Sequence, residues 1–310
     1  MNWRSIVTRN GRLHGSAMRK SPDFQGIAIA LAREARWSGP ERALSPVPAD
    51  APFLVEGAVD GRSPPRYALC AVLVPRVVLL TWQATVVIFG YPKVILPAPS
   101  DIFIALTDNF AMIWQQTVPT VRDTLAGFAL AAVFGVGLAS LLSFSRLLRD
   151  AIYPLIVVIQ LVPKIAWTPL FIVWVGIGWP SRLTIATFIG FFPIFIAMMA
   201  GLESTDRSLV RLCRGLIATP WRTFWLVRLP ASTPYLFAGL KIAITLAVIG
   251  VIVAEFISSS EGLGFLILQS AALLRTDIIL AAITVLCLVG LVCYGAVHAG
   301  EVAVRKWHGE

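Results

Sequence analysis

Asp206-Arg-Ser-Leu-Val-Arg-Leu-Cys-Arg-Gly-Leu-Ile-Ala-Thr-Pro-Trp221, followed shortly by Val227-Arg-Leu-Pro230, interrupts the apolar half of a 310-residue chain. It is the heart of a charged island, residues 203–234, set between two long apolar runs. Hydrophobic residues make up 57% of the chain and charged residues only 14%, more grease than a water-soluble core of this size requires. The chain reads as an all-α integral membrane protein. A membrane span needs about 20 mostly apolar residues, and six runs qualify. They are Leu69 to Phe89, Thr124 to Phe144, Ile152 to Val175, Leu183 to Leu202, Tyr235 to Phe256 and Ile278 to His298. Residues 67–307 therefore form a transmembrane domain, and the island is a loop within it.

Residues 1–66 differ in kind. They are polar, carry Pro40, Pro46, Pro48 and Pro64-Pro65, and show no sustained periodicity, so a disordered extension is expected there. Their longest apolar piece, Gly26 to Ala32, is too short to cross a bilayer and has no clear cleavage site behind it. The extension is either regulatory or an overextended start with Met18 as the alternative initiator.

Lys and Arg accumulate in cytoplasmic loops. Ten lie in the tail, and with the tail inside they are joined by Arg146, Arg149, Arg207, Arg211, Arg214, Arg222, Arg228, Arg305 and Lys306. That is 19 of the 26 basic residues, so both termini are expected in the cytoplasm. The opposite loops hold Lys93, Arg122, Arg182 and Arg275, offset by Asp101, Asp108, Asp123, Glu261 and Asp277. This topology and anionic lipid account for the net charge of +9 without nucleic acid.

Catalysis within the chain is not expected. Cys70, Cys287 and Cys293 fall in apolar spans and Cys213 in the island, and the three histidines are scattered at the chain ends. They make no metal spacing, disulfide framework or nucleophile–base pair.

The island itself has helical order. Leu209, Leu212, Cys213, Leu216 and Ile217 recur at helical spacing, with Arg207, Arg211 and Arg214 on the other face. Ser204, Thr205 or Asp206 can cap this helix. Thr219-Pro220 has the form of a cap before a second helix, on which Trp221, Phe224, Trp225 and Arg228 share a face and which Pro230 and Pro234 end. Such a hairpin either docks a partner or rests on lipid headgroups.

The island resembles the EAA loop of permease subunits of binding-protein-dependent ABC importers. Arg211-Leu212-Cys213, then Ile217, then Val227-Arg228-Leu229-Pro230 keep that loop's spacing. Arg211 stands where the family has an acid, and Ile217 where it has a glycine. Further matches are Leu96-Pro-Ala-Pro-Ser100, Pro163-Lys-Ile-Ala-Trp-Thr-Pro-Leu170 with Trp174-Val-Gly-Ile-Gly178, Val253-Ala-Glu-Phe256 with Gly262-Leu-Gly264, and Leu274-Arg-Thr-Asp277. In order and together they resemble the nitrate, sulfonate and taurine branch, which also contains permeases for pyrimidine thiamine precursors and riboflavin.

The resemblance implies a type I importer permease fold of six transmembrane helices in a bacterial cytoplasmic (inner) membrane. It implies a second permease copy (a homodimer or a heterodimer), a periplasmic or extracellular solute-binding protein and a cytoplasmic ATPase. No Gly-x-x-x-x-Gly-Lys-Ser/Thr loop is present, so ATP is expected on the partner and the chain itself needs no cofactor. Coupling to the ATPase is carried over onto Arg207, Arg211, Leu212, Cys213, Leu216, Ile217, Val227, Leu229 and Pro230.

Polar residues inside the spans are the pathway candidates. Lys164 near mid-span costs roughly 2.5–3.5 kcal/mol if uncompensated, so it either lines the route, with Gln160, Pro163 and Trp167, or snorkels. Lys241 is expected to snorkel. Glu255 is a further candidate, read as structural or as a contact to the outer gate ahead of a solute ligand, and Gly127, Gly135 and Gly137 read as close helix packing. A proton-coupled secondary transporter is the alternative; related halves and several intramembrane acids would mark one.

Overall fold

The computed structural model describes residues 65–206, Ser208, Val210, Arg211, Cys213 and 219–307, with side chains from Leu73 to Lys306. Leu73–Glu310 forms one compact unit. The extension expected over residues 1–66 lies outside the described residues, apart from Pro65 and Arg66, which open the first helix.

Every regular element among the described residues is helical. In chain order these are α1 (Pro65–Phe89), α2 (Pro99–Asp108), α3 (Phe110–Ser143) and α4 (Arg146–Leu161). A 3-10 turn (Lys164–Trp167) leads into α5 (Thr168–Val175), and α6 (Trp179–Glu203) follows. After the island come α7 (Pro220–Thr223), a π-helical turn (Phe224–Arg228), α8 (Leu229–Ser258), α9 (Leu263–Ala272) and α10 (Thr276–Trp307).

Four helices are long and apolar enough to cross a membrane: α3, α6, the continuous run Pro220–Ser258 and α10. A fifth crossing exists only as a bent pair, in which α4 and Lys164–Val175 meet at 91°. The third expected span is therefore broken. Pro163 offers no N–H, and a residue before proline is pushed out of the helical region; Val162 accordingly adopts φ −68°, ψ 134°. The first expected span is helical throughout, with Pro75 and Arg76 inside α1, but its described apolar part is Leu73–Phe89. Six full crossings are thus not reached among the described residues.

Two other boundaries move. α3 begins at Phe110, not Thr124, and carries Arg122 and Asp123 within it. Pro230 and Pro234 do not end a helix; the chain runs from Pro220 into α8 without a break. The π turn explains this, because Leu229 N–H bonds Phe224 O, five residues back, which opens the ladder just ahead of a proline that has no donor.

α6 is the axis of the unit and packs along both α3 and α8, which also meet each other where Ala131, Ile194 and Ala243 cluster. Its Phe192, Phe195, Met198, Met199 and Leu202 are buried against Ala139 and Leu142 of α3 and Phe224 of the π turn. Small residues let the backbones close. A Cβ added at Gly127 of α3 would collide with Ala186 Cβ of α6, and one at Gly135 would press on Ile194. Gly137 contradicts the packing expectation, since nothing lies within 4 Å of its would-be Cβ. A second cluster joins Ile102 and Ala105 of α2, Ile113 of α3, Leu263 and Leu266 of α9, and Ile278 of α10. Large apolar side chains elsewhere stay exposed, among them Ile88, Val133, Leu161, Val173 and Val292, as lipid-facing surfaces do.

These contacts predict an asymmetry between two glycines of one helix. Gly127→Val should destabilise the purified protein by about 1–3 kcal/mol of overpacking, seen as a lower melting temperature in detergent. Gly137→Val should leave the melting temperature where it is.

Candidate functional site

α3, α6 and α8 meet in two places. One holds Asp123, Arg182 and Ser258 and is called the clasp end; the other holds Ser143, Leu202 and Arg228 and is called the loop end.

At the clasp end, Asp123 and Arg182 are 0% and 2% exposed at their side chains, and Arg182 Nε lies 2.6 Å from Asp123 Oδ2. A buried charge without a partner would be prohibitively expensive, so neither residue could sit here alone. Arg182 Nη2 also reaches Glu261 Oε1 at 2.6 Å, and Nη1 donates to Ser259 Oγ. Arg122 covers the same acids from outside, at 2.9 Å from Asp123 and 3.4 Å from Glu261. The Arg182 guanidinium, with burial opposing it, holds the Glu261 carboxyl below the usual carboxylate range. These four charges were expected in loops; α3 and α6 carry three of them within helices because each is paired.

A second set of bonds pins α9 to the same place. The first N–H groups of a helix lack partners within it, and here other elements supply them. Gln116 Oε1 accepts from Gly262 N at 2.7 Å, Thr120 Oγ1 from Leu263 N at 2.8 Å, and Glu255 Oε2 from Gly264 N at 2.7 Å. Thr120 Oγ1 in turn donates to Glu255 Oε1 at 2.7 Å. Glu255 is 1% exposed and enclosed within the chain. Gly262 has φ +107°, and a Cβ there would overlap the Glu255 carboxylate. The spacing Glu255…Gly262-Leu-Gly264 thus has a steric reason.

The remaining pathway candidates gather at the break in the third crossing. Gln160 ends α4, Pro163 makes the kink, and Lys164 and Trp167 bound the 3-10 turn. Lys164 Nζ lies 5.3 Å from the Phe192 ring centroid and 3.4 Å from Gln160 O, which the break leaves without a helical donor. Phe192 is the fourteenth residue of the 25-residue α6, so the lysine stands at mid-depth of the bundle. Trp167 packs on Phe188 at 5.8 Å and Phe171 at 6.4 Å. Behind the break, a cavity of about 370 Å³ is lined by Leu130, Phe134, Phe171, Thr187, Phe188 and Phe191 among others. It is apolar, and Thr187 spends its hydroxyl on Leu183 O, so it has little to offer a polar solute.

At the loop end, Thr219 Oγ1 accepts from Arg222 N at 3.3 Å with Pro220 at the first helical position, the cap expected from the sequence. Asp206 Oδ1 accepts from Ser208 N at 2.8 Å, and hydrogen bonds from the Ser208 hydroxyl and then its backbone keep the Asp206 carboxyl low. Trp221 stacks on Phe144, and Phe224 packs against the same ring at a tilt. Of the coupling candidates, Arg211 and Cys213 are helical, Val227 lies in the π turn, and Leu229 and Pro230 open α8. Arg207, Leu212, Leu216 and Ile217 lie outside the described residues. Lys241 does not snorkel; it pairs with Glu301 of α10, with His298 Nδ1 3.4 Å from the same carboxylate. That partner is 60 residues away in sequence and carried no local signal.

The break, the island and the clasp all fall within residues 131–302 apart from the α3 side of the clasp, and that range matches the family described as binding-protein-dependent transport system inner membrane component. The chain belongs to this family. It is the multi-pass membrane permease of an ABC importer, a component that is not itself catalytic. A probable ABC transporter permease protein of Haemophilus influenzae is 34% identical over 72% of this chain and 91% of its own length. A riboflavin transport system permease of Chloroflexus aurantiacus is 32% identical over 74% of this chain and 86% of its own. A taurine transport system permease of Escherichia coli is 27% identical over 76% and 88%. Importers of this family work with an ATPase and a substrate-binding protein. None of these relatives' names speaks for the proton-coupled alternative.

The clasp yields two expectations. Arg182→Met should cost about 3–5 kcal/mol by stranding Asp123, and adding Asp123→Leu should recover most of the lost melting temperature. Glu261 contributes stability while ionised, because its folded pKa is depressed; that contribution is present at neutral pH and falls away as pH drops below about 4. Glu261→Gln should therefore flatten the acid limb of a melting-temperature profile.

Proposed function

We propose that this permease carries a small polar solute across the bacterial cytoplasmic membrane, powered by ATP bound on a separate cytoplasmic subunit. The loop end faces the cytoplasm with both termini, and the clasp end faces the solute-binding protein. The observation that supports this most is the loop-end geometry. A capped second helix, an aromatic cluster and the intact Val227-Arg228-Leu229-Pro230 segment join the island directly to α8.

On this reading Arg207, Arg211, Leu212, Cys213, Leu216 and Ile217 are the island residues that couple to the ATPase, and Val227, Leu229 and Pro230 connect the island to the span. Two permease copies, homodimeric or heterodimeric, enclose the route within membrane lipid, and the chain itself uses no cofactor. Gln160, Pro163, Lys164 and Trp167 line the route at the break, because a mid-depth lysine with no carboxylate in reach among the described residues needs a polar neighbour. Glu255 serves the route indirectly, by holding α9. The relatives' names point to taurine-like anions or to riboflavin-like vitamins, and the chain's own residues favour neither.

Affinity purification from its native membrane should recover an ATP-hydrolysing subunit with the permease. Uptake driven by a proton gradient without that subunit would overturn the reading. Arg211→Glu with Ile217→Gly should preserve or raise nucleotide-stimulated uptake, and a collapse would mean that the partner's groove has adapted to this loop. Lys164→Met should lower uptake by about tenfold or more, the loss of one charge-assisted contact, with ATPase recovery unchanged.

A further inference from the structure

We propose that Arg228 is the strut through which movement of the island reaches the spans. The inference rests on the coupling role assigned to the island above. The guanidinium donates from Nη1 to Ser143 O at 3.2 Å and from Nη2 to Leu202 O at 3.1 Å. Ser143 is the last residue of α3, and Leu202 lies in the last turn of α6. Carbonyls in a final turn have no intrahelical donor, and both helix dipoles favour a cation there. One side chain therefore grips the ends of two spans at once, from the turn that joins the island to the third.

The local backbone is what aims it. Between Phe224 and Arg228 the chain takes a π turn, and Phe224 is buried at 3% exposure among Leu142, Met199 and Leu202. The apolar contacts around Arg228 are non-directional and resist separation more than sliding. Two hydrogen bonds to fixed carbonyls resist sliding as well. Toward the far ends of α6 and α8, Arg182–Asp123 ties α6 to the first half of α3 and Glu255–Thr120 ties α8 to it. Helices held together at two levels move as one lever, so a displacement delivered at Arg228 arrives at the clasp.

The test uses the permease co-purified with its ATPase in lipid nanodiscs. A single fluorophore is attached by click chemistry to an azide-bearing residue introduced in place of Leu273, an exposed position in the α9–α10 turn, so that all four cysteines stay native. The readouts are ATP hydrolysis, melting temperature and the change in fluorescence on trapping with ATP and vanadate. Arg228→Ala should keep hydrolysis within about twofold while the fluorescence response falls at least about fivefold, the low end of ordinary coupling factors. Arg228→Lys, which keeps the charge but not the fork, should fall between. Arg149→Ala removes a bridge to Glu203 at the same end without touching the π turn, and should behave as wild type. The strut is overturned if the response survives Arg228→Ala. It is equally overturned if response, hydrolysis and melting temperature fall in proportion, or if wild type turns over ATP with no response at residue 273. An ATPase missing from the wild-type preparation would instead sink the coupling role itself, and the strut with it.

Discussion

The buried pair of Asp123 and Arg182 is the constraint on which the rest of the clasp end depends. Neither charge can stay in this environment without the other, so the helices that carry them, α3 and α6, are held in one relative position. Once that position is set, Glu261 and Ser259 are drawn to the remaining guanidinium nitrogens, and the turn after α8 is fixed. The turn in turn presents the N–H groups of α9 to Gln116, Thr120 and Glu255. Directional polar bonds thus set the register, and the small residues of α3, α6 and α8 supply the close approach that no driving force between apolar helices in lipid would provide.

The polar ends and the apolar middle were not equally legible in the sequence. Hydropathy located the lipid-embedded parts of α3, α6, α8 and α10, because length and apolarity are what a bilayer selects. It failed where a charge was solvated by protein. Arg122 and Asp123 read as loop residues, and Lys241 as a snorkelling one, because a charge reports its own cost and not a partner 59 or 60 residues away. Which acid met which base was left to the fold.

Proline was misread in both directions. Pro163 breaks a crossing that hydropathy treated as continuous, and Pro230 fails to break a helix that its presence seemed to end. The difference lies in the neighbouring backbone. Val162 turns extended before Pro163, whereas the π turn ahead of Pro230 has already vacated the bond the ring would have cost. Thr219-Pro220 was legible because capping is local, and Glu255 with Gly262 and Gly264 was legible only as a pattern, whose cause is the carboxylate filling the space of two absent methyl groups.

The π turn also has a consequence for how such permeases change over time. A π turn carries one residue more than the α-helical turn it replaces, so it offsets the face of Trp221 and Trp225 from the packing face of α8 by about 100°. Between residues 224 and 228, losing a single codon would restore the regular ladder without shortening the span noticeably. It would also rotate the aromatic face by that angle around the bundle. A one-residue deletion here is therefore a phase change, by which a lineage can re-aim its loop-end surface while the packing of the spans is inherited intact.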